Sequence, residues 1–311
     1  MSGTPESLVA WEPLTLADWQ ESYATVHLWT QLLGKTRLAL SPAQNHWWHT
    51  ALYLTPRGLT TASIPDRSRT FDVELDFVAQ QLLVRVSDGA LATIPLSGRP
   101  IAEFYLDYRA LLHSLSIEPK LWPMPVEIEG ATRMDRDRRQ RAYDPVAVRR
   151  CWQVLLRVAR ALERFRAGFQ GKCSPVHFWW GAFDLACTRF SGRTAPPHPG
   201  GVPNLPDRVA RIAYSHECIS AGWWPGTPGG PVAEAAFYAY AYPEPPGCST
   251  AAVAPAGAGY HPVLREWILP YHVVRSAADP DAALQQFLES TYGAAAELAG
   301  WDRELSRFGD A

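Results

Sequence analysis

The run Tyr214-Ser215-His216-Glu217-Cys218 gathers two hydroxyls, an imidazole, a carboxylate and a thiol within five residues. Imidazole and carboxylate exchange protons or hold divalent ions near neutral pH, which makes His216 and Glu217 candidate catalytic groups. Read as the end of a strand over 209–218, the run puts Tyr214 and His216 on one face and Ser215 and Glu217 on the other. His177 opens an adjacent strand and completes the catalytic candidates. The same three side chains, His177, His216 and Glu217, are also of the right type for zinc, manganese or iron, although no spaced metal motif accompanies them. Arg193 is a candidate to neutralise an acidic ligand group, and Tyr214, Trp179, Tyr238 and Tyr240 are candidate ligand-binding walls. Each has a structural alternative. The polar run reads equally as a hydrogen-bonded strand end. The stripe Tyr238, Tyr240, Tyr242 reads as core packed against a helix, and Asp184, among apolar neighbours, as the partner of Arg189 or Arg193.

Several chemistries are excluded by spacing. Gly226 to Gly230 is interrupted by proline and lacks Lys-Ser/Thr, and Gly34-Lys35 lacks the upstream glycine of a phosphate-binding loop. Gly-x-Ser-x-Gly is absent, which removes the nucleophile elbow. His46 and His49 stand three apart, and on a strand they would point to opposite faces. The five cysteines, Cys151, Cys173, Cys187, Cys218 and Cys248, are an odd number without a Cys-x-x-Cys pair, so reduced thiols are expected.

The positioning elements follow from periodicity. A helix is predicted over 18–33, with Asp18 and Glu21 as a capping box and Gly34 as its stop. Residues 45–55 and 71–77 read as strands, 82–86 and 91–95 as a hairpin about Ser87-Asp88-Gly89, and Pro100 opens a helix to His113. The charge-dense stretch 131–144 reads as a linker. Val148, Cys151, Leu155, Val158, Leu162, Phe165 and Phe169 recur at steps of three and four and mark a long helix after Asp144-Pro145. Strands are predicted at 176–190, 209–218, 233–242 and 264–274, with loops at 196–206 and 222–231, and a last helix runs from Asp279-Pro280 to Ala299. Of thirteen Trp, six form the pairs Trp47-Trp48, Trp179-Trp180 and Trp223-Trp224, which in strands place one ring on each sheet face.

These elements make an α+β protein with two similar α-β-β-β-α halves, 1–130 and 145–311, whose antiparallel sheets are covered by helices. Helix ends Gly34-Lys35 and Gly171-Lys172, each followed by a His/Trp string, suggest an internal duplication with a cleft between the halves. Hydrophobic residues are 47% and charged residues 19%, as in globular proteins, and the formal charge of −2 provides no field for nucleic acid or an anionic membrane. No apolar run reaches the ~20 residues of a membrane span, and the first fifteen residues have no apolar leader, so the expected location is the cytoplasm.

The strings Leu28 to Leu40 (LWTQLLGKTRLAL), Asn45-His46-Trp47-Trp48, Arg57 to Thr61 (RGLTT), Arg189 to Arg193 (RFSGR), Tyr214 to Glu217 (YSHE), Gly222 to Gly226 (GWWPG), Phe237 to Pro245 (FYAYAYPEP) and Ile268 to Tyr271 (ILPY) together resemble a bacterial domain-of-unknown-function family, DUF5996. The resemblance spans about residues 11–301. It implies one family unit and brings no activity, cofactor or site residue with it. The functional expectation therefore rests on the residues: a small-molecule pocket protein, an enzyme using His/Glu acid–base chemistry or a divalent metal on a small acidic or aromatic ligand. The competing expectation is an interaction or regulatory protein using the Arg-rich surface 133–166, where the aromatics that stack nucleic-acid bases are sparse.

Overall fold

The computed structural model describes residues 11–201 and 205–306. The N-terminal half opens with α1 (Gln20–Leu40) and a 3-10 segment, Asn45–Thr50. Six strands follow: β1 (Tyr53–Leu54), β2 (Gly58–Thr60), β3 (Ile64–Asp66), β4 (Arg69–Asp76), β5 (Gln81–Val86) and β6 (Leu91–Pro95). Helix α2 (Ile101–Ser114) closes this half. The second half runs α3 (Pro145–Ala167), β7 (His177–Trp179), β8 (Asp184–Thr194), α4 (Asp207–Ala213), β9 (His216–Trp224), β10 (Ala236–Tyr242), β11 (Gly259–His261), β12 (Glu266–Pro270), α5 (Tyr271–Arg275) and α6 (Pro280–Leu298).

Both sheets are antiparallel and six-stranded. The first runs β1-β2-β4-β5-β6 with β3 beside β4, the second β11-β12-β10-β9-β8-β7. They meet edge to edge where Leu52 and Phe178 exchange backbone hydrogen bonds of 2.9 Å each way. The α+β class is therefore as expected, with twice the strands per half. Both halves have the sequence helix, six strands, helix, but their strand orders differ and only the second contains α4 and α5.

Helix α1 has buried residues through most of its length, including Trp29, Leu32 and Leu33, and packs against α2, α3 and β3. It continues through Gly34 rather than stopping there. A Cβ on Gly34 would lie 2.1 Å from Nε1 of Trp180, so the glycine is required by the close approach of that indole. Its N-cap is Trp19 without a side-chain cap, so the expected Asp18–Glu21 box does not form. By contrast Asp144 caps α3 by accepting from the amides of Val146 and Ala147.

Five other expectations are corrected. Residues 45–50 are a 3-10 turn in which His46 and Trp47 have φ of +53° and +60°, so neither His46 and His49 nor Trp47 and Trp48 alternate across a strand. The 176–190 segment is two strands joined by a turn. The 209–218 segment is α4 followed by β9; Val209 and Ile212, three apart, belong to a helix. The 264–274 segment is β12 and then α5, and β9 continues to Trp224 inside the expected 222–231 loop. Residues 131–144 contain no helix or strand, yet Met134 and Asp137 are buried there, and Asp137 takes Arg139 and Arg141 as partners. No helix among the described residues is long and apolar enough to cross a membrane.

Candidate functional site

Strand periodicity divides the second sheet into two chemically different faces. Leu185, Cys187, Ile219, Ala221, Trp223, Phe237, Ala239, Trp267 and Leu269 belong to the main core, on which α3 and α6 pack. The alternate residues, Asp184, Ala186, Thr188 and Phe190 of β8, Cys218, Ser220 and Trp224 of β9, Tyr238 and Tyr240 of β10 and Glu266 of β12, line a cavity of about 1350 Å³. Tyr238 and Tyr240 thus face the cavity, while Phe237 and Ala239 face the helices, and of the three Trp pairs Trp223-Trp224 divides between the two faces as expected.

Elements from both halves form the rest of the wall. Helix α1 contributes Tyr23, His27 and Lys35, the 3-10 turn His46, Trp47 and Trp48, the irregular segment 120–132 Trp122 and Glu127, and α4 Arg208 and Val209. His46, Trp47 and Glu127 have φ in the left-handed region, as does Phe183 immediately before Asp184. Such conformations cost of order 1–3 kcal/mol for residues other than glycine and concentrate at functional sites. Tertiary contacts hold them. His46 Nδ1 donates to the Ala213 carbonyl at 2.9 Å, and Trp47 Nε1 to that of Val209 at 3.0 Å, tying the turn to α4. His27 Nε2 donates to the carbonyls of Trp180 and Gly181.

Three carboxyl groups share this space. Burial raises the pKa of Asp184 to about 7, opposed by the hydrogen bond from the Tyr238 hydroxyl. Glu127 is raised to about 7 by burial and then by repulsion from Asp184, and Glu266 to about 7 for the same two reasons. Glu127 retains solvent-accessible area because it opens into the cavity, yet protein surrounds it on the other sides, and that surrounding sets its pKa. None of the three forms an ion pair with a described residue. The expected pairing of Asp184 with Arg189 or Arg193 is replaced by the phenol: Arg189 points to the helix side, over the Phe165 and Tyr292 rings, and Arg193 pairs with Glu217.

Two glycines make room for this arrangement. Gly222 lies between Ala186 and Tyr238 in the ladder, and its Cβ would come 2.6 Å from the Tyr238 hydroxyl. Tyr238 can therefore lean across β9 to Asp184 on β8. A Cβ on Gly181 would lie 2.0 Å from a Glu127 carboxylate oxygen.

Of the residues singled out from sequence, Tyr214, Trp179, Tyr238 and Tyr240 line the cavity, and the hydroxyls of Tyr214 and Tyr240 are 2.9 Å apart. His216, Glu217, His177 and Arg193 do not line it. Glu217 accepts from Arg193 at 2.7 Å and from Ser191 at 3.0 Å, while Arg193 also donates to the carbonyls of Ala299 and Gly300. His216 packs its ring 5.5 Å from that of cavity-lining His46. His177 is fully buried, enclosed by Trp48, Tyr53 and Trp179, with neither ring nitrogen hydrogen-bonded to a described residue. These side chains do not gather into a metal site, and no cluster of three or more His, Cys, Asp or Glu among the described residues is suited to a metal ion.

The profile of a family of unknown function, DUF5996, matches residues 11–307. The chain belongs to DUF5996. The match crosses both halves and includes every wall of the cavity, so the site lies within one family unit. No curated protein and no solved structure matches the chain. In this DUF5996 member, sequence reasoning missed Glu127 and Glu266 as site residues. A carboxylate between Val126 and Ile128, and another opening Glu266-Trp267-Ile268-Leu269, are acids embedded in apolar strings, the signal that had drawn attention to Asp184.

Proposed function

We propose that this protein binds a small organic molecule in the cavity on the second sheet and acts on it as a cytoplasmic enzyme by proton transfer. The observation that carries the reading is the placement of three carboxyl groups, each raised to a pKa of about 7, around one aromatic-walled cavity. A general acid or base works best when its pKa lies near the working pH, and buried like-charged carboxyls are a common way to reach it. Asp184 is the central group. It lies deepest, shares a hydrogen bond with Tyr238, and raises both other carboxyls. Trp179, Trp224 and Tyr240 provide flat apolar surface to hold a ligand in front of it. His216 and Glu217 are left with a supporting role through His46 and Arg193, because a proton donor must reach the ligand.

A thermal-shift screen of a metabolite library against wild type and Ala186→Trp tests the reading. The new indole would fill the space before Asp184 and Tyr238. Compounds that stabilise wild type should lose their effect in the filled variant, and Asp184→Asn should abolish turnover of a true substrate. Stabilisation that persists in Ala186→Trp, or a screen without hits, contradicts the cavity reading.

A further inference from the structure

The chain has 29 basic residues, of which only Lys35, Lys120 and Lys172 are lysine. All three stand at the cavity. Lys35 and Lys120 line it, and Lys172 Nζ donates at 2.7 Å to Nε2 of His46, which lines it. Lys35 differs from the others in being buried, at 4% exposure, without a hydrogen-bond acceptor or carboxylate partner among the described residues. Its ammonium is held between two indoles, 5.4 Å from the ring centre of Trp122 and 5.5 Å from that of Trp180. Gly34, beside it, is what lets Trp180 come so close.

Two aromatic faces compensate an ammonium only in part, by about 2 kcal/mol when desolvated, whereas withdrawing the ion from water costs several. The deficit appears as a pKa lowered to about 8, with burial as its sole cause. No protein carboxylate makes up the difference, although three stand elsewhere on the same cavity wall. Those three have the converse deficit: each carries negative charge once it ionises, and none is ion-paired with a cation among the described residues. The cavity thus presents an uncompensated positive point and an uncompensated negative cluster, with aromatic surface available to both.

We propose that the ligand is amphoteric: an organic molecule whose acidic group sits on Lys35 between Trp122 and Trp180, whose basic nitrogen sits among Asp184, Glu127 and Glu266, and whose flat apolar body lies on the aromatic floor. Flat aromatic acids that carry a basic nitrogen on the opposite side of the ring from the acid, so that the two charges stand well apart, have this chemistry. The inference rests on the cavity being a small-molecule site and adds the ligand class. Lysine suits the Lys35 position because a compact ammonium fits between two indoles, where a planar guanidinium would stack on one.

Four probes with a common ring test it by calorimetric titration at pH 7: 5-(aminomethyl)indole-3-acetate with both groups, 5-(aminomethyl)indole with the amine alone, indole-3-acetate with the acid alone, and indole with neither. The two-group probe should bind tightest and indole weakest. Lys35→Met should weaken the two-group probe and indole-3-acetate at least tenfold and leave 5-(aminomethyl)indole within about twofold. Asp184→Asn should weaken the two-group probe and 5-(aminomethyl)indole and leave indole-3-acetate unchanged. If Lys35→Met binds all four as wild type does, the inference is wrong, and loss of that binding in Ala186→Trp would leave the small-molecule reading standing. Failure of all four probes to bind wild type overturns the ligand class, and the library screen then decides the cavity reading on its own.

Discussion

Asp184 and His177 are both buried ionisable residues, and they have opposite consequences for stability. The Asp184 carboxyl loses its proton near 7 in the folded protein and near 4 in an unfolded chain. Between those values the folded state holds more protons, so this group's contribution to stability falls as pH rises and is least favourable above about 7. Asp184→Asn should therefore raise stability at pH 8 by on the order of 2 kcal/mol in chemical denaturation, and by little at pH 4. Equal effects at both pH values would contradict the assignment. His177 is lowered to about 3 by burial and by the nearby Arg37 and Arg166 charges. An unfolded chain takes up this proton first as pH falls below about 6.5, so the contribution is lost toward acid. With neither ring nitrogen hydrogen-bonded to a described residue, His177→Phe should stabilise the protein by about 1 kcal/mol at pH 7, and by more at pH 5. A catalytic role for His177 predicts instead that the variant loses turnover without gaining stability.

At the scale of elements, two close approaches hold the site together. Gly34 in α1 admits the Trp180 indole, whose Nε1 donates to the Thr50 carbonyl at 2.9 Å and fixes the 3-10 turn. Gly34→Ala gains about 1 kcal/mol of helix propensity, but the overlap should leave a net loss of about 2 kcal/mol. A thermal melt no lower than wild type would show that Trp180 is not so confined. On the floor, Tyr238 reaches Asp184 only because Gly222 has no side chain. Tyr238→Phe removes a donor that stabilises the carboxylate, and the Asp184 pKa should move above 7; a fall would mean that the phenol is not its partner.

How much of this was legible in sequence depended on the element. Alternation at 237–242 identified the two faces of β10, because a strand's period is unambiguous when tyrosine alternates with small residues. The long periodic pattern from Val148 onward likewise marked α3. The polar run at 214–218 was placed on the wrong element, because the short apolar pattern of Val209 and Ile212 suits a strand or a helix and only tertiary contact with the 3-10 turn selects α4. The left-handed backbone at His46 and Trp47 has no sufficient local signature: histidine is enriched in that region but seldom adopts it, and a bulky tryptophan disfavours it. Glu127 lies in a proline-containing stretch without periodicity, and its role exists only through Asp184 on a strand nearly sixty residues away.

Across the whole molecule, two antiparallel sheets joined at the Leu52–Phe178 edge allow α1 of the first half to supply one wall of the cavity on the second sheet. The opposite face is filled by α3 and α6, so the cavity belongs to the packing of one half against the other, and separating the halves would open it. The central claim is that the carboxyls of Asp184, Glu127 and Glu266, which line one cavity, titrate together near neutrality. NMR titration of the side-chain carboxyl carbons in protein labelled at Asp and Glu tests it most directly. Three resonances should titrate near pH 7; Asp184→Asn should remove one and shift the other two downward, as expected for the loss of a repelling neighbour. Titration of every carboxyl below about pH 5, or no response of Glu127 and Glu266 to Asp184→Asn, would contradict it.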